Sequence, residues 1–182
     1  RSGTAVVVEG YTDCISAHQH GIENDVATLG TALTDSHVRN LKRFANRVVL
    51  VFDGDAAGQS AAERSISHFL ALDVDLRILA LPEGLDPADF LEARGTEALN
   101  TAIDTAPDAW EYKLKSLIAQ HGLQTVDARS RILGDMLELV AQAPQLAGTP
   151  RENIILGKLA QRLVLDEAGV RQHYTDLKRQ AA

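Results

Sequence analysis

With 182 residues, a hydrophobic fraction of 45% and a net charge of −7, the chain has room for one good-sized domain, or a domain with an appended subdomain, and enough apolar residues for a core. No apolar run approaches the roughly 20 residues of a membrane span, and the start lacks a signal peptide's charged and apolar stretches, so the expectation is a cytoplasmic protein with no membrane contact. The single cysteine, Cys14, excludes an intrachain disulfide and any cysteine-cluster zinc site, and it reads as a small buried hydrophobe.

Charge is divided unevenly. Residues 1–108 carry 8 Lys/Arg against 17 Asp/Glu, a net of −9, whereas residues 109–182 carry 10 against 8, a net of +2. A nucleic-acid binder usually shows a basic footprint. The first part shows the reverse, so it binds no nucleic acid, or does so through metal ions and a basic neighbour. The opening Arg1-Ser2-Gly3-Thr4 runs straight into a strand, which predicts that the chain is cut from within a longer protein.

In chain order, Ala5 to Val8 is a short apolar strand ending at Glu9-Gly10, followed by a helical pattern from Thr12 to His20 that Gly21 stops. Asp25 to Leu29 forms a second strand, and Gly30-Thr31-Ala32 a turn. Thr34 and Asp35 open a helix to about Ala45. Val48 to Phe52 is a third strand, and Ala56 to Ala71 a helix. Val74 to Leu81 is a fourth strand, Pro82 to Pro87 a loop, and two short helices cover 88–105. Strands alternating with helices at this spacing predict βαβ units and a parallel sheet.

After Pro107 the character changes, and a boundary is placed there. Residues 108–121, 126–143, 150–165 and 167–179 read as helices, with Leu133, Met136, Leu137 and Val140 forming an apolar stripe.

The sharpest local signal is VVLVFDGDAAG, residues 48–58. Val48 to Phe52 reads as a strand buried on both faces of a parallel sheet, and ligands of such sheets sit beyond the carboxyl ends of the strands. If the chain stays extended, Asp53 and Asp55 point the same way, with Cα atoms roughly 6–7 Å apart. Two carboxylates in one small space are costly unless a hard divalent cation lies between them. The alternative is that one Asp caps the helix starting near Ala56 and the other is solvated.

Glu9 ends the first strand as Asp53 ends the third, and Asp13 lies on the first turn of the helix that follows. Asp86 and Asp89 follow the fourth strand. All six acids therefore converge on one sheet edge, as a divalent metal cluster would require. Against this, Glu9 also reads as a loop acid, Asp13 as a helix-start charge, Asp86 as a helix-opening residue before Pro87, and Asp89 as a solvated first-turn acid. The six histidines are scattered without metal spacing. Lys42, Arg43 and Arg47 read as a solvated helix face or as phosphate contacts.

Glu9-Gly10-Tyr11-Thr12-Asp13, Leu29-Gly30-Thr31-Ala32-Leu33-Thr34, Phe52-Asp53-Gly54-Asp55-Ala56-Ala57-Gly58 and Leu81-Pro82-Glu83-Gly84-Leu85-Asp86-Pro87 stand in the order and spacing of the bacterial replicative primases. The chain resembles their Toprim domain, over 1–107, followed by the helical subdomain of the RNA polymerase core, over 108–182.

The resemblance implies an α/β fold with a parallel sheet, and short RNA primers made on single-stranded DNA from NTPs. It implies Mg²⁺ or Mn²⁺ held by Glu9, Asp53 and Asp55 as the catalytic residues, with Asp13 and Asp86 completing the cluster and no zinc in this segment. Gly10, Gly54, Gly58, Lys42 and Arg43 become candidate nucleotide or template contacts. The implied partners are template, NTPs, the RNA–DNA hybrid product and a replicative helicase that binds elsewhere. The segment is expected to be inactive alone.

One departure is Asp86-Pro87-Ala88-Asp89, where many members have Asp-Pro-Asp, and it puts Asp89 in doubt as a ligand. The competing readings are another Toprim enzyme, of topoisomerase or nuclease type, and a receiver-like module phosphorylated on Asp53. Tyr11, Tyr112 and Tyr174 lack the context of a topoisomerase nucleophile, and Pro82-Glu83-Gly84 lacks a receiver's lysine.

Overall fold

A computed structural model of the protein describes residues 3–28, 33–53, 60, 62, 65, 66 and 74–181. The chain forms two compact units, residues 1–112 and 113–182.

The first unit is built on four parallel strands: β1 (Thr4–Val8), β2 (Asp25–Ala27), β3 (Arg47–Phe52) and β4 (Asp75–Ala80), in the order β2-β1-β3-β4. The two central strands are the most apolar in sequence, because a central strand of a covered sheet meets side chains on both faces. Val6 to Val8 and Val48 to Phe52 are all buried, whereas Val26 on the edge strand β2 is 44% exposed. On one face Val6, Val8, Val49 and Val51 pack with Ala17 and Ile22 and with Phe90, Leu91, Leu99 and Ile103. Those residues come from α1 (Tyr11–Gln19) and α3 (Pro87–Thr105) and the turn after α1. Val48, Leu50 and Phe52 alternate to the opposite face and are equally buried, as are Val38 of α2 (Asp35–Lys42), Ala62 and Ile66. The helix expected over 56–71 lies mostly outside the described residues; 60, 62, 65 and 66 are helical.

The segment after α3 stays with the sheet. The Ile78 N–H donates to the Pro107 carbonyl (3.0 Å), Arg77 Nη1 donates to the Ala106 carbonyl (3.2 Å), and Arg77 and Asp108 form an antiparallel bridge. The division between units therefore falls beyond Pro107, inside α4 (Ala109–His121), with Trp110 buried.

The second unit contains the end of α4 together with α5 (Val126–Ala141), α6 (Pro150–Leu163) and α7 (Glu167–Ala181). Thr125 Oγ1 accepts from the Ala128 N–H and Thr149 Oγ1 from the Glu152 N–H, so both helix starts carry a side-chain cap. The buried stripe of α5 is Ile132, Met136, Leu137 and Val140; Leu133 is only half-buried, one position off the expected register. Leu156, Leu159, Leu163 and Val170 are buried on α6 and α7.

Glu152 is a buried acid in this unit. Burial pushes its carboxyl up, but the Gly148 N–H (2.8 Å), the Tyr174 hydroxyl and the Lys178 ammonium (3.5 Å) more than offset this and hold it below the ordinary range. Lys178 also lies 4.2 Å from the centre of the Tyr174 ring.

A group with a lowered folded pKa contributes stability above its unfolded value that disappears as pH falls through its folded value. Glu152→Gln is therefore expected to cost about 1–2 kcal/mol at neutral pH. The difference should close on acidification below the carboxylate range, as read by urea denaturation at several pH values.

The expected pair of short helices over 88–105 is found: Pro87–Thr105 is two helices that meet at a kink at Gly95, whose φ of 80° and ψ of 171° suit glycine almost alone. A Cβ there would meet nothing within 4 Å, so the cost of replacing it is backbone strain without a clash. Gly95→Ala is expected to destabilise the protein by about 1–3 kcal/mol in chemical denaturation.

Candidate metal-binding edge

The β1–β3 register pairs Val7 with Leu50. Carried two residues further, it sets Glu9 level with Phe52 and Asp53 level with Gly10, so both acids stand at the carboxyl edge of neighbouring strands. The adjoining chains are tied to the same edge. The Thr28 N–H donates to the Val8 carbonyl (3.1 Å), Thr28 Oγ1 to the Glu9 carbonyl (3.5 Å), and the Leu81 N–H to the Phe52 carbonyl (3.2 Å). Glu9 turns its Oε1 out of solvent.

A second pair of acids meets where two helices begin. Asp13 is 8% exposed in the first turn of α1, and its Oδ2 accepts from the Gly10 N–H (3.2 Å). Asp86 is the N-cap of α3, with Pro87 in the first turn, and its Oδ1 accepts from the Asp89 N–H (2.7 Å). Burial, and then the Asp86 charge, push the Asp13 carboxyl up from the ordinary range, against the N–H groups of Gly10 and Ala88 that favour its ionised form. Asp13 and Asp86 thus share one electrostatic environment. The capping reading of Asp86 is correct as far as it goes, and it leaves the carboxylate beside Asp13.

Gly10 has a structural use. A Cβ built on it would come within 2.6 Å of Asp13 Oδ2, so the missing side chain makes room for that carboxylate. Asp89 is exposed and contributes its backbone N–H to Asp86. Gly54, Asp55 and Gly58 lie outside the described residues.

Lys42 and Arg43 are not brought to this edge. They end α2, which feeds the amino end of β3, where the N–H groups of Asn46 and Arg47 donate to the Gly3 carbonyl (2.9 and 3.2 Å). A six-residue strand about 17 Å long separates that end from Asp53. Both residues are exposed, and Arg43 lies 6.0 Å from the ring centre of Phe44, itself 83% exposed.

Sequence reasoning missed one group. Cys14 and His18, four residues apart on α1, meet Asp25 at the start of β2, and one ligand atom from each lies within 4.8 Å of the others. Cys14 is half-buried, and burial, with Asp25 next, pushes its thiol up to about 11. The histidines are therefore not all without metal spacing. The Cys14–His18 interval of four is the spacing that puts two ligands on one helix face, but the third residue is visible only once β2 is docked beside β1.

A four-stranded parallel sheet flanked by helices, with acids gathered at its carboxyl edge, defines the class: residues 6–91 match the family described as Toprim-like. Within that class the chain is similar to bacterial DNA primases. It is 32% identical over 169 residues to the DNA primase of Clostridium acetobutylicum, covering 93% of this chain and 27% of that protein. It superposes with a TM-score of 0.82 on a DNA primase domain from Pseudomonas aeruginosa, at 31% identity over 93% of this chain and 53% of that one. A DnaG primase catalytic domain bound to single-stranded DNA matches with a TM-score of 0.76, at 33% identity over 87% of this chain and 51% of that one. The chain spans about a quarter of the length of the curated relatives it matches.

The family implies a divalent metal, and the donor set fits one. The acids at the edge offer oxygen ligands, the kind that hard divalent cations prefer, and Asp13 carries an electrostatic cost that a cation would relieve.

Asp13→Asn keeps the acceptor for the Gly10 N–H and removes the charge. A raised folded pKa means that the native state holds its proton more tightly than the unfolded chain, so the penalty develops as pH rises above the ordinary carboxylate range. Without added metal, the variant is expected to melt at or above the parent's temperature at neutral pH. In thermal scans the two should converge as pH falls below that range.

Proposed function

We propose that this chain is the catalytic core segment of a bacterial DNA primase, in which the sheet-bearing unit is the catalytic domain and the helical unit its subdomain, with the boundary inside α4 instead of at Pro107. The reading is carried by the convergence of Glu9, Asp53, Asp13 and Asp86 on one sheet edge, and the relatives reported above support it. The reaction is nucleotidyl transfer: the 3′-hydroxyl of a growing primer attacks the α-phosphate of an incoming NTP, and pyrophosphate leaves. Glu9, Asp53 and Asp55 are the residues that hold Mg²⁺ or Mn²⁺, with Asp13 and Asp86 beside them. When bound, such ions supply positive charge to the triphosphate and to the attacking oxygen. The chain's own part is to hold its carboxylates ionised and fixed at the strand ends, since catalysis of this kind rests on positioning and charge.

Single-stranded DNA template, NTPs and the RNA–DNA hybrid are the proposed partners in a cytoplasmic reaction. A replicative helicase engages other parts of a longer protein. No described helix is long and apolar enough to cross a membrane. The net of −9 over residues 1–108 argues that template affinity is supplied largely from outside this segment. Other Toprim chemistries are disfavoured by the tyrosines. Tyr174 is 3% exposed beside Glu152 and is closed off from any substrate, and Tyr11, 63% exposed, stands on the first turn of α1, next to the acidic edge.

Mn²⁺ titration by calorimetry tests the reading. The parent is expected to bind and Glu9→Gln/Asp53→Asn to lose most of the heat. The same pair in a longer primase should abolish primer synthesis on single-stranded DNA while leaving DNA affinity within about twofold, because backbone affinity comes from Lys and Arg. Equal heats, synthesis that survives the double variant, or efficient synthesis by residues 1–182 alone would each contradict a part of it.

A further inference from the structure

The group of Cys14, His18 and Asp25 has a donor chemistry unlike that of the acidic edge. Asp25 opens β2 and pairs in register with Val6, so its carboxylate is buried on the face of the sheet that α1 covers instead of beyond the strand ends. Its side chain is wholly out of solvent, and neither Oδ1 nor Oδ2 accepts a hydrogen bond of ordinary geometry, although His18 Nε2 stands 2.9 Å from Oδ1. His18 Nε2 is also 3.4 Å from the Asp25 carbonyl, and Cys14 Sγ lies 3.9 Å from that same oxygen. The side chains that face it are the Cys14 thiol and the His18 imidazole, and a buried carboxylate is normally paired or bound to metal.

Sulfur, imidazole nitrogen and carboxylate oxygen together suit a borderline-soft divalent ion such as Zn²⁺, whereas Mg²⁺ and Ca²⁺ take oxygen ligands. Tetrahedral bonds of about 2.0–2.3 Å set ligand atoms about 3.3–3.8 Å apart. The three ligand atoms here all lie within 4.8 Å of one another, so small side-chain rotations close the site. The His18 side chain is 48% exposed, which leaves the fourth position to water.

We propose that Cys14, His18 and Asp25 form a binding site for one zinc-class ion that clamps α1 to the start of β2. The ion would neutralise Asp25 and tie down the helix whose first turn carries Asp13. The site stands apart from the functional reading above, and its test does not depend on catalysis.

The reduced full chain is titrated with Co²⁺ in excess Mg²⁺, which occupies oxygen-only sites. One equivalent is expected to give a thiolate-to-cobalt charge-transfer band in the near ultraviolet, lost on adding Zn²⁺, and Zn²⁺ is expected to raise the melting temperature. Cys14→Val should abolish the band and the Zn²⁺-dependent shift while leaving Mn²⁺ binding at the acidic edge unchanged. His18→Ala and Asp25→Asn should each weaken Co²⁺ binding at least tenfold. Should either of these fail to fold, the parent and Cys14→Val still decide the matter. No thiolate band in the parent, or a Zn²⁺ shift undiminished in Cys14→Val, would overturn the proposal, as would a band of full strength and affinity in His18→Ala.

Discussion

A strand buried on both faces of a parallel sheet has room for charge only where it ends. That constraint organises the first unit. β1 and β3 are central, and their side chains from Val6 to Val8 and Val48 to Phe52 are closed off from solvent, so Glu9 and Asp53 come immediately after the last buried residue of each strand. Parallel pairing then sets both endings at the same edge, which an antiparallel pair would have separated by a strand length. The acidic concentration is thus a product of topology, and its electrostatic cost is a reason for the edge to take a cation.

The helices extend the same logic. α1 and α3 pack on one face of the sheet through Ala17, Phe90, Leu91 and Leu99, so their first turns meet near the edge where their strands end. Acids favour helix starts because the backbone N–H groups there are unmatched. Asp13 and Asp86 both take such N–H groups, yet the same packing buries Asp13 near Asp86 and raises its pKa. Capping and metal binding do not exclude each other here: an oxygen engaged with an N–H leaves the second oxygen of the carboxylate for a ligand.

How much of this was legible in the sequence follows from which forces are local. Strands and helices were readable because hydrophobic period and glycine or proline breaks are local: β3 and α6 fall within a residue or two of the expected spans. The gathering of Glu9 and Asp53 was readable because a parallel sheet with acids after its strands admits one edge. Three features were not legible. The fit of Asp13 against Gly10 depends on the space a Cβ would fill. The placement of Lys42 and Arg43 at the far end of β3 follows from connectivity, which composition does not report. Asp25 looked like an ordinary strand start; only the β1–β2 register reveals that it is buried facing α1.

The helical unit shows why a net charge read from sequence overstates what is offered to a phosphate backbone. The balance of +2 over residues 109–182 counts every basic residue equally. Arg129 Nε donates to the Leu123 carbonyl (2.7 Å) and holds the loop before α5, Arg171 pairs with Glu167 and Asn153, and Lys178 serves Glu152 and Tyr174. Withdrawing any of these to meet a phosphate would leave a carbonyl or carboxylate to be satisfied again, and that cost subtracts from the counterion-release gain. Reversing Arg129 would disturb the α4–α5 connection as well as the surface potential, whereas Arg131 is exposed on α5 two residues later. An exposed cation such as Arg131 therefore says more about what the unit can offer a phosphate backbone than its net charge does.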